Sequence, residues 1–403
     1  MQIKKSYIMS NLSRRNFLSL SALSLPVVAA GKGFTFNPKH SRSGRETKYG
    51  INFLYDGYFY SADEYVSVLD EINRENKIIY DLYGSGGVVE ELEKKMAVLT
   101  GKEKAIFMPT GTMANQLAIS VLSGEKTKVA VQENSHVYRD EGDAPSSVFG
   151  KRLVPFPKDK SSITLDDVKN TLAYSESEST FIEKSDMGVI SIENPVRRGF
   201  GQQVKIEEIR KIAAYCKQHD YKLHLDGARI FMASGYSGIP VIEYAKNFDT
   251  VYISLYKYFG AAAGAVLCGD AEVIDKMQHL IKIHGGNLLG AWPYAAVALH
   301  FLEGFENRFQ QAIENGSKII AGLNQIDGFH ISPVADGTNI FFLHIEKKDQ
   351  AKVAMYLKEK YQFFLRPRPL EGITGLPFVI NETQLQVPPE FIVNAFEEAV
   401  HAS

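Results

Sequence analysis

HLDGARIF (224–231) and SLYKYFG (254–260) are the two stretches that decide the fold of this 403-residue chain. Each follows a short run of β-branched and aromatic residues, YKLHL (221–225) and DTVYI (249–253). Each therefore reads as the carboxyl end of a strand emptying into a loop. One strand end delivers an acid, Asp226, and the other an amine, Lys257. Ligands of open α/β sheets bind outside the carboxyl ends of the strands, so both groups fall where a ligand is expected.

Outward from these two strands the chain alternates. KAIFM (104–108), KVAVQ (128–132), MGVISIE (187–193), YKLHLD (221–226), TVYISL (250–255) and GAVLCG (264–269) read as strands, and 165–174, 205–218 and 239–247 as helices. That order predicts the α/β class, a mostly parallel sheet covered by helices on both faces. Upstream, YGSGGVVEELEKKMAVLTG (83–101) is a glycine turn followed by Val89, Leu92, Met96 and Leu99 at helical spacing, stopped by Gly101. Residues 62–73 predict another helix. The aromatic run YGINFLYDGYFY (49–60) suits an ordered arm over a surface or a neighbouring subunit. Past residue 300 the texture changes to a helix over 300–325, a strand TNIFFLHI (338–345), a helix over 349–360, the stretch FFLRPRPLEGITGLPFVIN (363–381) and a helix over 388–401. The expected division is an arm and large domain over 49–303 and a small C-terminal α+β domain over 304–403.

With 45% hydrophobic residues the chain can bury one large core or two moderate ones. No repeat of solenoid length is visible. Residues 1–30 carry four bases (Lys4, Lys5, Arg14, Arg15) and no acid; the remainder holds 41 bases against 47 acids, which argues against a nucleic-acid partner. Two cysteines, Cys216 and Cys268, make no zinc spacing or disulfide framework and read as buried free thiols. SRRNFL (13–18) ahead of an apolar run to Ala30 resembles a twin-arginine export signal, with a Sec signal or a retained arm as alternatives. The run is too short and serine-rich to span a bilayer. The expectation is a periplasmic protein, free of the membrane once residues 1–30 are removed, with 31–48 as a flexible linker.

Several residue types in this pattern carry chemistry. PTGT (109–112) before a helix starting near Met113 offers free backbone N–H groups and, with Gly111 and Thr112, a phosphate seat. Ser254 lies three residues before Lys257 and adds a hydroxyl. A lysine and a carboxylate brought together suit pyridoxal 5′-phosphate (PLP), whose aldehyde needs the amine and whose ring nitrogen needs the acid to stay protonated. Asp226 could instead cap the next helix or pair with Arg229, and Lys257 could be a core-edge lysine reaching for water. His136, in QENSHVYRDEG, is either a ring that stacks on the cofactor or an ordinary loop histidine. No metal site is expected.

TGTMANQLA (110–118), YGSGGVVEELE (83–93), HLDGARIF and YKYFGAAAGAVLCG (256–269) together resemble the low-specificity threonine aldolases and the wider β-eliminating lyases. Those are fold-type-I PLP enzymes, so the resemblance implies such a large domain with its small C-terminal partner. It makes Lys257 the lysine that carries the cofactor, Asp226 the partner of the ring nitrogen, Gly111 and Thr112 the phosphate seat and His136 the stacking ring. It places Arg229 at the cofactor phenolate or the substrate carboxylate and Asp56 near the cofactor. Tyr83 and Lys282 would reach the adjacent subunit's site, which implies a homodimer or homotetramer. The chain departs from the family on the substrate side. Val196 stands where the family has a histidine, Tyr256 replaces a serine, Leu288 replaces an arginine, and GLPFVIN (375–381) lacks a carboxylate-binding arginine, with Arg366 and Arg368 just upstream.

The implied activity is lysis of an amino acid, either retro-aldol cleavage of a β-hydroxy amino acid to glycine and an aldehyde, or β-elimination. The alternatives are an exported PLP-fold binding protein without turnover, and an aminotransferase or decarboxylase on the same cofactor floor.

Overall fold

The computed structural model describes residues 48–75, 78–156, 160–177, 186–346 and 348–403. The expected leader, 1–30, and all but the last residue of the expected linker, 31–48, lie outside them. Every described element belongs to one compact unit, Thr47–Ser403. Among the described residues no helix is long and apolar enough to cross a membrane.

The strands are β1 (Ile51–Asn52), β2 (Lys104–Met108), β3 (Lys128–Val131), β4 (Arg152–Pro155), β5 (Met187–Glu193), β6 (Lys222–Asp226), β7 (Thr250–Ser254), β8 (Ala265–Gly269), β9 (Phe329–Pro333), β10 (Ile340–Ile345), β11 (Phe363–Phe364) and β12 (Leu376–Val379). Seven of them make the main sheet, in the order β2-β8-β7-β6-β5-β3-β4. The pairs from β7 through β4 are parallel, and β8 runs antiparallel to both of its neighbours. All seven residues of β5 are buried, as expected where helices cover both faces. The alternation of β8 shows the two faces directly. Val266 and Cys268 pack with the Gly87–Thr100 and Trp292–Leu302 helices, whereas Ala265 and Leu267 pack with the Gly111–Ser123 and Ala271–Ile283 helices. Cys216 and Cys268 are buried free thiols.

The second core surrounds the antiparallel sheet β12-β10-β9 and the Gln350–Tyr361 and Pro389–Ala402 helices. The aromatic arm starts inside this core. β1 pairs in parallel with β11, and Phe53, fully buried, stacks on Phe378 with ring centroids 4.5 Å apart. The helix expected over 300–325 is two, Trp292–Leu302 and Phe305–Leu323, because Gly304 between them takes a left-handed φ of 66°. Phe305, Phe309 and Ala312 serve the first core and Ile319 and Leu323 the second. The division expected at residue 303 therefore runs through shared packing. Strands β4 and β9 and the Ala271–Ile283 helix were not read from the sequence.

Phe53→Ala tests whether the arm is structural. Loss of a buried aromatic with three ring partners costs about 3–5 kcal/mol in denaturant unfolding; a cost under about 1 kcal/mol would show the arm to be dispensable to the core.

Candidate active site

Three parallel strands end side by side, with Asp226 in register with Glu193 of β5 and Tyr252 of β7. The Asp226 carboxylate is buried, and both of its oxygens accept hydrogen bonds. Oδ2 takes one from the Asn115 amide at 3.0 Å and Oδ1 one from the Ala228 N–H at 3.2 Å. The next residue must be small, since a Cβ on Gly227 would stand 2.9 Å from the Tyr252 carbonyl oxygen.

Lys257 follows β7 in the loop beyond Ser254. Burial, and then the Arg229 charge, lower its amine to about 7, although Asp226, Asp56 and Glu193 pull the other way. Among the described residues no ion pair joins Lys257 to Asp226, though each feels the other's charge. The amine lies 5.5 Å from the centroid of the Tyr256 ring. A good part of it is uncharged near neutral pH, the form that attacks an aldehyde.

The helix expected near Met113 begins two residues earlier, at Gly111. Thr110 caps it, its hydroxyl accepting from the Met113 N–H at 3.1 Å. Gly111 and Thr112 are thus first-turn residues whose N–H groups lack an intrahelical acceptor. A Cβ on Gly111 would fall 2.0 Å from the Tyr252 hydroxyl, so only glycine fits there. Close by in sequence to the amine, the Ser254 hydroxyl is buried without a partner. The Tyr252 and Tyr256 hydroxyls lie near it, but neither meets hydrogen-bond geometry with it. An orphan hydroxyl, open helix N–H groups, a held carboxylate and a half-neutral amine are the donor set PLP requires. The residues fit that cofactor, with Gly111, Thr112 and Ser254 for the phosphate, Asp226 for the ring nitrogen and Lys257 for the aldehyde.

His136 is brought to the same place. Its backbone N–H donates to Glu193 Oε2 at 2.6 Å, and its ring Nδ1 shares a proton with Glu141 Oε1 at 3.1 Å. Burial lowers the imidazole pKa, but the Glu141 bond and charge outweigh it and the net direction is up. Glu193 is pushed up to about 6 by burial and by the neighbouring Asp226. His136, Glu141 and Asp226 offer atoms within 4.8 Å of one another, and Asn115 donates into both carboxylates.

Arg229 donates from Nε to Asp56 Oδ2 at 2.7 Å, and Asp56 Oδ1 accepts from the Asn339 amide at 3.3 Å. Asp56 therefore reaches the site, tied to both cores. Arg366 is half-buried beside Tyr55, at the edge of this arrangement. Arg368 is exposed and joins none of these contacts. Tyr83 and Lys282 are exposed too and join none of them. Sequence reasoning missed Asn115, Glu141, Glu193 and Arg197. Glu193 had a signal, since it ends a strand as Asp226 does. Arg197, whose N–H donates to Glu193 Oε1 at 2.8 Å, lies half-buried within the field of Arg229.

The lysine assignment predicts that purified protein given PLP develops a visible absorption band. Lys257→Ala, still cooperatively folded, should not; the same band in that variant would refute the assignment.

The comparisons agree with this geometry. Residues 80–347 match the beta-eliminating lyase family. The low-specificity L-threonine aldolase of Candida albicans is 32% identical over 67% of this chain and 71% of its own length. A probable low-specificity L-threonine aldolase 2 of Arabidopsis thaliana is 29% identical over 80% of this chain and 90% of its own. Among solved structures, a putative aromatic amino acid beta-eliminating lyase/threonine aldolase from Exiguobacterium superposes with a TM-score of 0.71 at 24% identity, covering 87% of this chain and 97% of that one. With an amine and an acid set at adjoining strand ends, the chain belongs to the β-eliminating lyase family, fold-type-I enzymes that work with PLP.

Proposed function

We propose that the protein cleaves the Cα–Cβ bond of a β-hydroxy amino acid, releasing glycine and an aldehyde. The carrying observation is a lysine at the strand ends that, among the described residues, forms no ion pair with an Asp226 carboxylate already engaged by Asn115 and the Ala228 N–H. The names of the relatives in Candida and Arabidopsis support this choice of reaction. They lend none to a fold kept only for binding.

Bound PLP supplies an electron sink for a bond broken at Cα. The protein's residues do the rest. Arg229, braced at Nε by Asp56, keeps its outer guanidinium donors for the substrate carboxylate. His136 commits Nδ1 to Glu141, which leaves Nε2 for exchange of the β-hydroxyl proton. Val196, fully buried, offers no base of its own. The family match also favours β-elimination as a second reading, which the same residues would serve.

A panel of β-hydroxy and β-substituted amino acids separates the two. Equal amounts of glycine and aldehyde support the proposal, ammonia and a 2-oxo acid without glycine support elimination, and no product from any substrate defeats both. The pH profile carries a sign. Glu141 holds the His136 pKa above its ordinary 6.5, so the rate rises with pH as that proton leaves. Glu141→Gln removes the support and should move the rising limb to lower pH; an unmoved limb would clear His136 of the base role.

The site is completed by a second copy of the chain, in this proposal. Ile79, Tyr80, Leu82, Tyr83 and Leu289 are all exposed. Their two segments are strapped together, Tyr83 N–H donating to the Leu289 carbonyl at 3.0 Å and Asp81 accepting from Ala291 and Trp292 at 2.8 Å. A rigid apolar patch of that kind marks an interface. Leu82→Asp with Leu289→Asp should convert a dimer or tetramer to monomer in light scattering; wild-type protein that is already monomeric would exclude the second copy.

A further inference from the structure

We infer that Asn115, His224 and Thr250 form an uncharged relay that orients the Asp226 carboxylate as a hydrogen-bond acceptor, which makes Asn115 a positioning residue for the ring-nitrogen acid. The inference rests on the cofactor reading given above.

All three side chains are fully buried. Thr250 and His224 are register partners on β7 and β6, with Thr250 Oγ1 2.8 Å from His224 Nδ1. His224 Nε2 lies 2.9 Å from Asn115 Oδ1, and Asn115 Nδ2 lies 3.0 Å from Asp226 Oδ2 and 2.8 Å from Glu141 Oε1. Donor and acceptor roles follow from the carboxylate end. Two acids need donors, so the Asn115 NH2 must face them and its carbonyl must face His224. Nε2 therefore carries the imidazole proton, Nδ1 accepts, and the Thr250 hydroxyl donates. Any other assignment sets an oxygen against two carboxylates. Burial pulls the imidazole down to about 4, against the weaker upward pull of Asp226, so the relay stays neutral across the working pH range.

The charged and titratable groups around Asp226 leave it otherwise short of fixed donors. Glu193 and Glu141 are acids, His136 is committed to Glu141, Lys257 makes no ion pair with it, and Tyr252 and Tyr256 reach it only through charge. Among the described residues, Asn115 and the Ala228 N–H in the adjoining turn are the donors to this carboxylate.

The test reads the ring-nitrogen NMR resonance of isotope-labelled PLP through a pH titration, together with cofactor affinity. Asn115→Leu keeps the branched outline of the side chain and removes both N–H bonds. With that donor gone the Asp226 carboxylate is no longer held in one orientation, so the ring-nitrogen resonance should depart from its wild-type course and Kd should rise at least about tenfold, as for a charge-assisted hydrogen bond. Thr250→Val, isosteric and remote from the cofactor, frees His224 to change tautomer and should shift both readings the same way by less. It carries the test alone should Asn115→Leu not fold. A resonance unmoved and a Kd within about twofold of wild type in the folded variants would overturn the relay. Wild-type protein that takes up no PLP would overturn the cofactor reading, and the relay with it.

Discussion

A lysine amine and a carboxylate stand within each other's field at one sheet edge without neutralising each other, and the remainder of the site depends on that restraint. An ordinary buried lysine beside an aspartate closes into an ion pair, which costs the amine its nucleophilicity. Here the Asp226 oxygens are already engaged by Asn115 and by the backbone of Ala228. The Arg229 charge adds to burial in keeping the Lys257 amine from holding its proton. Arg229 can do this without becoming an unpaired charge because Asp56 meets it at 2.7 Å.

The sheet imposes the geometry. Parallel strands point their carboxyl ends the same way, so Glu193, Asp226 and the residues after Ser254 open onto one edge. The antiparallel β8 then returns the chain beneath the loop that holds Lys257, pairing Ala265 with Ser254. The second core takes part through Asn339, which donates to Asp56, so the chain's first strand and its last third meet at the arginine.

Residues whose roles depend on local pattern were legible in the sequence. Asp226 and Lys257 each end a contiguous apolar run, and burial of those runs on both faces is what a central strand demands. The start of the helix at Gly111 was read two residues late because glycine and threonine signal a turn as readily as a first helical turn. Asn115, Glu141 and His224 were not legible. Apart from the His136–Glu141 contact five residues apart, their partners lie 26 to 111 residues away along the chain, and no spacing rule reaches that far. The aromatic arm misled for a related reason, since density of rings says that a segment is buried but not what buries it.

The site's chemistry turns on which nitrogen carries the cofactor. Borohydride reduction of PLP-loaded protein, followed by peptide mass spectrometry, would fix that nitrogen irreversibly. A pyridoxyl group on the peptide containing Lys257, at that residue, is the predicted result; a group on another lysine, or none on a loaded protein, would contradict it.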